Sequence, residues 1–121
     1  MNSRERVLAV FQGKVPDRVP WGEWAVDADT VGRVIGRPTY LRAKARSQIA
    51  LWEGRREEVV ASWRDDAIAF YRAFDALDIV TFPQATWDAG KPEAYAEAPR
   101  RVNETTWKHR DGRVVQYSAS T

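Results

Sequence analysis

The chain has 121 residues, a formal charge of +2, no cysteine and one histidine. This length supplies one hydrophobic core and excludes two full domains. Disulfides, thiolate metal sites, multi-histidine zinc sites and most histidine-based triads are excluded, so no metal is expected within the chain. No apolar run approaches the roughly 20 residues that span a membrane, the charge is too small to favour nucleic acid, and residues 1–10 lack the apolar core of a signal peptide. We therefore expect a cytoplasmic protein without a membrane or nucleic-acid partner.

The first segment predicts a short helix followed by an extended strand. Asn2 or Ser3 begins the helix, Glu5 completes a capping box with Asn2, and Gly13 ends it. The two prolines of Pro16-Asp-Arg-Val-Pro20 then disfavour helix and favour an extended path. We expect a brief strand over residues 18–22.

Two further helices are predicted before residue 55. Asp27, or Asp29 with Thr30, begins the first of them, which runs to Ile35 and ends at Gly36. Thr39 is predicted to cap the second. The apolar face of that helix is Leu41, Ala45, Ile49 and Trp52, and Gly54 ends it.

The clearest pattern runs from Arg56 to Pro83 and predicts a long helix that leads directly into a buried strand. Its apolar residues recur at steps of three and four: Val60, Trp63, Ala67, Phe70, Phe74 and Leu77. Asp65 and Asp66 fall outside this stripe and are expected to face water. Residues 78–82 predict the strand, with Asp78 bracing the junction. A helix followed at once by a buried strand indicates an α/β unit.

The last part of the chain predicts a loop and then a β-hairpin. Residues 84–101 show no clean period and are interpreted as loop. Asp111-Gly112 predicts a two-residue turn between strands 104–109 and 114–118. In that register Trp107, His109 and Val114 share one face, and Tyr117 lies opposite Thr106. His109 is expected to be solvated.

Basic residues are concentrated between the second and fourth helices. The set is Arg33, Arg37, Arg42, Lys44, Arg46, Arg55 and Arg56, and an acid-rich segment follows it. We favour two helix faces of opposite charge that complement each other. An anion-binding surface is the alternative.

Three motifs together resemble the uroporphyrinogen decarboxylase superfamily, which includes related cobalamin-dependent methyltransferases. They are Ser3-Arg-Glu-Arg-Val-Leu-Ala9, Pro16-Asp-Arg-Val-Pro20 and Ala76-Leu-Asp-Ile-Val80. The run Trp107-Lys-His-Arg-Asp-Gly-Arg-Val-Val115 is similar to a hairpin of the same family. The resemblance covers nearly the whole chain.

The resemblance implies an α/β fold, the N-terminal part of a (β/α)₈ TIM barrel with an N-terminal helix and a C-terminal β-hairpin. A complete barrel needs about 250 residues, so residues 1–121 correspond to its first third. The implied ligand is a tetrapyrrole or corrinoid, and corrinoid or zinc are cofactors of the full-length protein only. The fragment is expected to be inactive alone, because most of the site and the closure of the barrel are absent.

Barrel active sites form at the C-terminal ends of the strands. That rule nominates Trp21, Glu23 and Trp24 after the first strand, and Phe82 and Gln84 after the second. A carboxylate between two tryptophans would suit general acid chemistry, and an aromatic mouth would suit a flat tetrapyrrole. The alternative is that the tryptophans belong to the core and Glu23 is solvated.

Two departures from the family pattern concern chemistry. The decarboxylases carry an arginine-glutamine-alanine-glycine-arginine loop after the first strand, where this chain has Trp21-Gly-Glu-Trp-Ala-Val26. The position of their catalytic aspartate falls on Gln84. The methyltransferase branch therefore fits better, although no catalytic residue is assigned.

Two other classes of function remain open. The first is a small non-catalytic module that pairs its exposed strand edges with another chain, including a second copy, and docks through its basic face. The second is a binder of anionic ligands or nucleic acid, which a steep loss of binding with added salt would indicate. A barrel fragment predicts exposed apolar residues near Val19, Val80 and Phe82, whereas a module predicts cooperative unfolding and a discrete oligomer.

Overall fold

The structure is a computed structural model that describes residues 1–82 and 98–118. Its elements, in chain order, are α1 (Ser3–Phe11), β1 (Trp21–Glu23), α2 (Ala28–Ile35), α3 (Lys44–Trp52), α4 (Arg56–Arg72), β2 (Leu77–Val80), β3 (Arg100–Arg101), β4 (Thr106–Lys108) and β5 (Val114–Gln116). Strands β1 and β2 form a parallel pair, and β3, β4 and β5 form an antiparallel sheet. Helices α2, α3 and α4 lie between the two parallel strands in sequence, as in an α/β unit.

Two of the predicted helix termini are confirmed, and one is wrong. Asn2 accepts a hydrogen bond from the Glu5 amide, and the Glu5 carboxylate accepts one from the Asn2 amide, so the predicted capping box is confirmed. Gly36 ends α2 with a φ of 73°, a left-handed conformation that glycine adopts without strain. Thr39 does not cap α3, because the helix begins only at Lys44. Its hydroxyl accepts instead from the amide of Leu41.

The core lies between α2, the loop that follows it, and α4. Val31, Leu41, Ala67 and Phe70 form a buried cluster, and Trp63 and Phe74 pack against it. The predicted stripe is correct at its centre and wrong at its ends. Val59 rather than Val60 is fully buried. The helix stops at Arg72, and Phe74 keeps its contact with the Phe70 ring from the following turn.

Asp66 was expected to face water, but it is buried. Its carboxylate accepts hydrogen bonds from Arg37 Nε and Nη2, at 2.9 and 2.6 Å, and from Ser62 Oγ at 2.5 Å. Burial opposes ionisation of this carboxyl, but the hydrogen bonds from Ser62 and Arg37 outweigh it and lower its pKa. Asp65 remains exposed. Asp66 therefore ties α4 to the end of α2.

One polar network joins α1 to the N-terminal ends of β1 and β2. Asp78 accepts from Arg6 Nη1 at 2.5 Å, from Arg18 Nη1 at 2.6 Å and from the Trp21 backbone amide at 3.0 Å. Arg6 also donates to both carboxylate oxygens of Asp17. The pairing shifts register between Trp21 and Gly22, which leaves Asp78 unpaired in the ladder. This bulge directs the Asp78 carboxylate toward the network. Asp78 therefore stabilises the contact with α1 as well as the predicted junction of helix and strand.

The β1–β2 pair is close-packed at Gly22. A Cβ added there would lie 2.9 Å from Ile79 Cβ and 3.4 Å from Ile79 O. We expect Gly22→Ala to cost about 1–3 kcal/mol of stability, because one of the strands must shift to admit a methyl group. Urea unfolding followed by tryptophan fluorescence measures this cost.

The matched control for that substitution removes the opposing side chain. In the Ile79→Gly background the added methyl group no longer meets the Ile79 side chain. Gly22→Ala should therefore cost clearly less stability there than in the wild-type chain. An equal cost in both backgrounds would contradict the packing explanation.

The C-terminal hairpin forms, but its register differs from the prediction. Trp107 pairs with Val115 and Lys108 with Val114, and the amide of His109 donates to Arg113 O. The loop therefore has three residues, with Gly112 at a φ of 90°, rather than a two-residue turn. Tyr117 consequently lies beside Thr105, and Val114 leaves the face of Trp107 and is exposed. Strand β3, in a segment expected to be loop, pairs with β4.

An aromatic cluster connects this sheet to α3. Trp52 lies with its ring centroid 6.0 Å from Trp107, 5.9 Å from His109 and 6.1 Å from Tyr117. His109 is therefore half-buried against Trp52, which corrects the expectation of a solvated side chain. Burial raises the pKa of the Tyr117 hydroxyl. These contacts hold the hairpin sheet against the end of α3.

Candidate ligand cavity at the strand ends

The C-terminal ends of β1 and β2 are joined by hydrogen bonds from the end of α4. Tyr71 Oη donates to Thr81 O at 2.7 Å, and Thr81 Oγ1 donates to Trp24 O at 3.3 Å. The Phe82 ring packs edge-on against Tyr71, with centroids 5.8 Å apart. Residues just beyond the two strands are thereby fixed relative to the core.

A cavity of about 250 Å³ opens at this end of the strands. Its lining is aromatic and aliphatic except for a threonine hydroxyl, a tyrosine and one arginine. The lining residues are Trp24, Val26, Val31, Leu41, Arg42, Phe70, Tyr71, Thr81 and Phe82. An apolar cavity with a few polar groups at its rim is typical of a ligand site. We call it the strand-end cavity.

The predicted site residues separate into two groups. Trp24 and Phe82 both line the strand-end cavity, with 81% and 52% of their surfaces exposed. Trp21 and Glu23 line a smaller cavity of about 190 Å³, where Trp21 meets the Phe74 ring at 6.3 Å. Gln84 lies outside the described residues.

Glu23 shares a cavity with one of its two neighbouring tryptophans. Its two neighbouring tryptophans line different cavities, because alternation along β1 places Trp21 on the same side as Glu23 while Trp24 follows the strand end. Glu23 is half-buried and shares its cavity with Thr30.

Arg42 is the functional candidate that the sequence argument missed. It lines the strand-end cavity and also a wider groove of about 370 Å³, whose other lining residues are Lys44, Ser47, Gln48, Leu51 and Trp63. Its membership of the basic stretch was the only available signal. Nothing in the local pattern distinguished it from the neighbouring arginines.

The basic stretch is partly neutralised within the fold. Arg37 pairs with Asp66, Arg55 with Glu53 and Glu58, and Arg56 with Glu57. The expected complementarity of charge therefore holds for these three arginines. Arg42 and Lys44 have no ion-pair partner within residues 1–82 and 98–118.

The part of the chain that the structure describes contains neither a metal-binding cluster nor a membrane-spanning helix. No three histidine, aspartate or glutamate side chains there lie close enough together to hold a metal ion. Of the helices within residues 1–82 and 98–118, none combines the length and apolar character that a membrane crossing requires.

Comparison with known proteins assigns the chain to no family. No family model matches it, and no curated protein and no solved structure is similar to it.

Proposed function

We propose that the chain forms the first strands and helices of a uroporphyrinogen decarboxylase-like (β/α)₈ enzyme. In this proposal it binds part of a tetrapyrrole or corrinoid ligand at the strand-end cavity. The supporting observation is that the three motifs of the resemblance converge in space. Arg6, Arg18 and Asp78 come one from each motif, and they share one network at the N-terminal ends of the parallel strands.

The network lies at the opposite end of β1 and β2 from the strand-end cavity, so residues that stabilise the fold are distinct from those that would bind a ligand. In a (β/α)₈ barrel the N-terminal face of the strands serves stability and the C-terminal face carries the site. Here the ion pairs lie at the N-terminal ends of β1 and β2, and the strand-end cavity lies at their C-terminal ends. The motif residues are thus explained as structural, and they need no catalytic role.

The exposed apolar residues of the strands support a barrel context. Val19, Ile79, Val80 and Phe82 are 82, 47, 42 and 52% exposed. Within the described residues β1 and β2 pair only with each other, although parallel strands are normally covered on both faces and paired at both edges. Neighbouring barrel strands would supply that pairing.

The size of the cavity limits what this chain can hold. At about 250 Å³ it is smaller than the usual site for a drug-sized ligand. It accommodates one edge of a macrocycle, and the remainder would lie over exposed Trp24 and Phe82. The proposal assigns zinc no ligand in this chain, which has no cysteine and one histidine. Binding without turnover is expected, in the cytoplasm.

A second candidate function rests on the same exposed strands. A non-catalytic module would pair its β1 or β2 edge with another chain, or with a second copy. It would dock through basic residues such as Arg42 and Lys44, which form no ion pair within residues 1–82 and 98–118. This candidate needs a chain that folds cooperatively by itself. The barrel proposal needs neighbouring strands.

Thermal unfolding combined with light scattering distinguishes these two candidates. The barrel proposal predicts a broad transition and a heterogeneous mass, because the apolar strand residues remain uncovered. A sharp transition with a defined monomer or dimer would contradict it and favour the module.

Ligand titration tests the proposed site directly. Coproporphyrin and a corrinoid would each be titrated into the chain, with tryptophan quenching and the absorption spectrum as readouts. We expect Trp24→Ala and Phe82→Ala to weaken binding about fivefold or more, because each removes an aromatic wall of the cavity. Phe11→Ala is the matched control, since Phe11 is 82% exposed and lies on α1.

Two results would contradict the proposed ligand class. One is the absence of binding for both the porphyrin and the corrinoid. The other is an equal loss of affinity in the Phe11 variant, which would indicate nonspecific adsorption to exposed apolar surface.

A further inference from the structure

Arg42 has an unusual backbone conformation. Its φ is 57°, and among the described residues it is the one non-glycine residue with a positive φ. For most L-residues other than asparagine and aspartate this region is costly, because the Cβ approaches the carbonyl oxygen. Such conformations persist where the surrounding structure enforces them, and they are concentrated at binding sites. The conformation of Arg42 therefore calls for a functional explanation.

The position of the Arg42 side chain supplies one. It is the single charged side chain among the residues that line the strand-end cavity. Seven other arginines form short ion pairs: Arg6, Arg18, Arg37, Arg55, Arg56, Arg64 and Arg113. Arg42 has no carboxylate partner in the described parts of the chain. A guanidinium at an apolar cavity thus keeps its hydrogen-bond donors available.

We propose that Arg42 determines the charge of the ligand and that the strand-end cavity selects aromatic groups that carry an anionic substituent. The ring of such a ligand would lie among Trp24, Phe70 and Phe82, and its carboxylate, sulfonate or phosphate would contact the Arg42 guanidinium. Arginine suits this role because its planar donors bind an anionic group in a bidentate way. The inference rests on the strand-end cavity being the ligand site of the proposed function.

A second cation adds to the expected selectivity. Arg42 is exposed at the rim of the cavity, so water and salt screen part of its interaction with an anion. Lys44 lies in the adjoining groove that Arg42 also lines, so it adds positive potential on the outer side of Arg42. A neutral ligand of the same shape would gain only the aromatic contacts. The cavity should therefore distinguish two ligands that differ only in an anionic group.

A matched pair of fluorescent probes tests this selectivity. 8-Anilinonaphthalene-1-sulfonate carries a sulfonate, and N-phenyl-1-naphthylamine has the same ring body without it. We expect Arg42→Gln to weaken binding of the sulfonate probe about tenfold and to change the affinity for the neutral probe less than twofold. Both titrations use the whole chain and follow probe emission to saturation.

Two further variants control for charge and for backbone strain. Arg46→Gln removes the same charge from an exposed residue of α3 that lines neither cavity, and it should leave both affinities unchanged. Arg42→Gly relieves the left-handed conformation while it removes the guanidinium. It should reproduce the loss of sulfonate binding without loss of the fold.

Two alternative results would overturn the inference, and two further results separate it from the proposed function. An equal loss for both probes in Arg42→Gln would mean that the variant perturbs the cavity. Unchanged sulfonate binding would mean that the probe lies elsewhere, such as on the exposed strands. A chain that shows the sulfonate preference but ignores porphyrin and corrinoid would refute the proposed function and leave the role of Arg42 intact. Porphyrin binding that does not change in Arg42→Gln would support the proposed function and refute the role of Arg42.

Discussion

Replacing Asp78 with asparagine should lower the equilibrium constant for folding on the order of a hundredfold. The Asp78 side chain has no exposed surface, and it accepts from Arg6, Arg18 and the Trp21 amide. Asparagine removes the negative charge while the Arg6 guanidinium stays 8% exposed beside it. Loss of one partner of a buried ion pair is strongly destabilising, because the other charge remains in a poorly solvated position. Urea unfolding measures the change.

Asp75→Asn is the matched control for that experiment. Asp75 lies three residues earlier, is exposed and changes the net charge by the same amount. Its effect should stay within the small range of surface substitutions. If the two variants were equally stable, the network at the strand ends would not hold β1, β2 and α1 together, and the structural explanation of the three motifs would be wrong.

The same network predicts loss of stability in acid. Burial opposes ionisation of Asp78, but hydrogen bonds from the Trp21 amide, Arg18 and Arg6 outweigh it and hold the pKa of the carboxyl well below its usual range. The Arg6 side chain likewise lowers the pKa of Asp17. In the unfolded chain these carboxyls have pKa values near 4, to within about half a unit. The unfolded state therefore binds more protons below that pH, so stability is fully present at neutral pH and falls as the pH drops.

Urea unfolding at a series of pH values checks the sign and the source of this dependence. In the wild-type chain the midpoint should decrease as the pH falls from about 5 toward 2. Asp78→Asn should flatten that decrease, since it removes one of the carboxyls responsible. An unchanged slope in the variant would show that other carboxyls carry the acid sensitivity.

Local chemistry made several elements predictable. The capping box at Asn2 and Glu5, the end of α2 at Gly36 and the strand after Pro20 depend on residues within a few positions of each other. The apolar period of α4 located the core at Ala67 and Phe70. These features follow from backbone conformation and periodicity, which a single sequence displays.

Features that depend on distant partners were not predictable. Asp66 is buried because Arg37, 29 residues earlier, donates to its carboxylate. A helical wheel contains no information about that partner. The hairpin register depended on whether Gly112 closes a two- or a three-residue loop, and a shift of one residue changes which side chains share a face. The register shift moved Val114 and Tyr117, whereas His109 was expected to be solvated because its contact with Trp52 was not foreseen.

Only part of the candidate site could be predicted from the sequence. The rule that places sites at the C-terminal ends of parallel strands located Trp24 and Phe82 at one cavity. It did not locate Arg42, which reaches that cavity from the loop between α2 and α3. Tyr71 was missed because it lies beside the apolar stripe of α4, yet its hydroxyl holds the strand ends together through Thr81. Both residues depend on how helices pack over the strands.

Replacing Trp52 with alanine should release the hairpin sheet from the rest of the fold. Its ring contacts Trp107, His109 and Tyr117. With these contacts in place Trp107 is only 4% exposed. We expect the free energy that holds the hairpin sheet in place to decrease by about 3–5 kcal/mol, the range for truncating a large aromatic side chain in a packed site. The loss should be local, because α4 also packs against Val31 of α2 in the core and β2 pairs with β1. Hydrogen exchange would then show lost protection in β4 and β5 and retained protection in α4.

A second readout separates release of the hairpin from general unfolding. Burial raises the pKa of Tyr117, so its release in Trp52→Ala should return that pKa toward the ordinary value of a solvated tyrosine. Nuclear magnetic resonance titration of the tyrosine rings follows this change. Trp24→Ala removes an 81% exposed ring and should leave both the hairpin protection and the Tyr117 titration unchanged. Retained protection of β4 and β5 in Trp52→Ala would mean that contacts beyond the aromatic cluster hold the sheet.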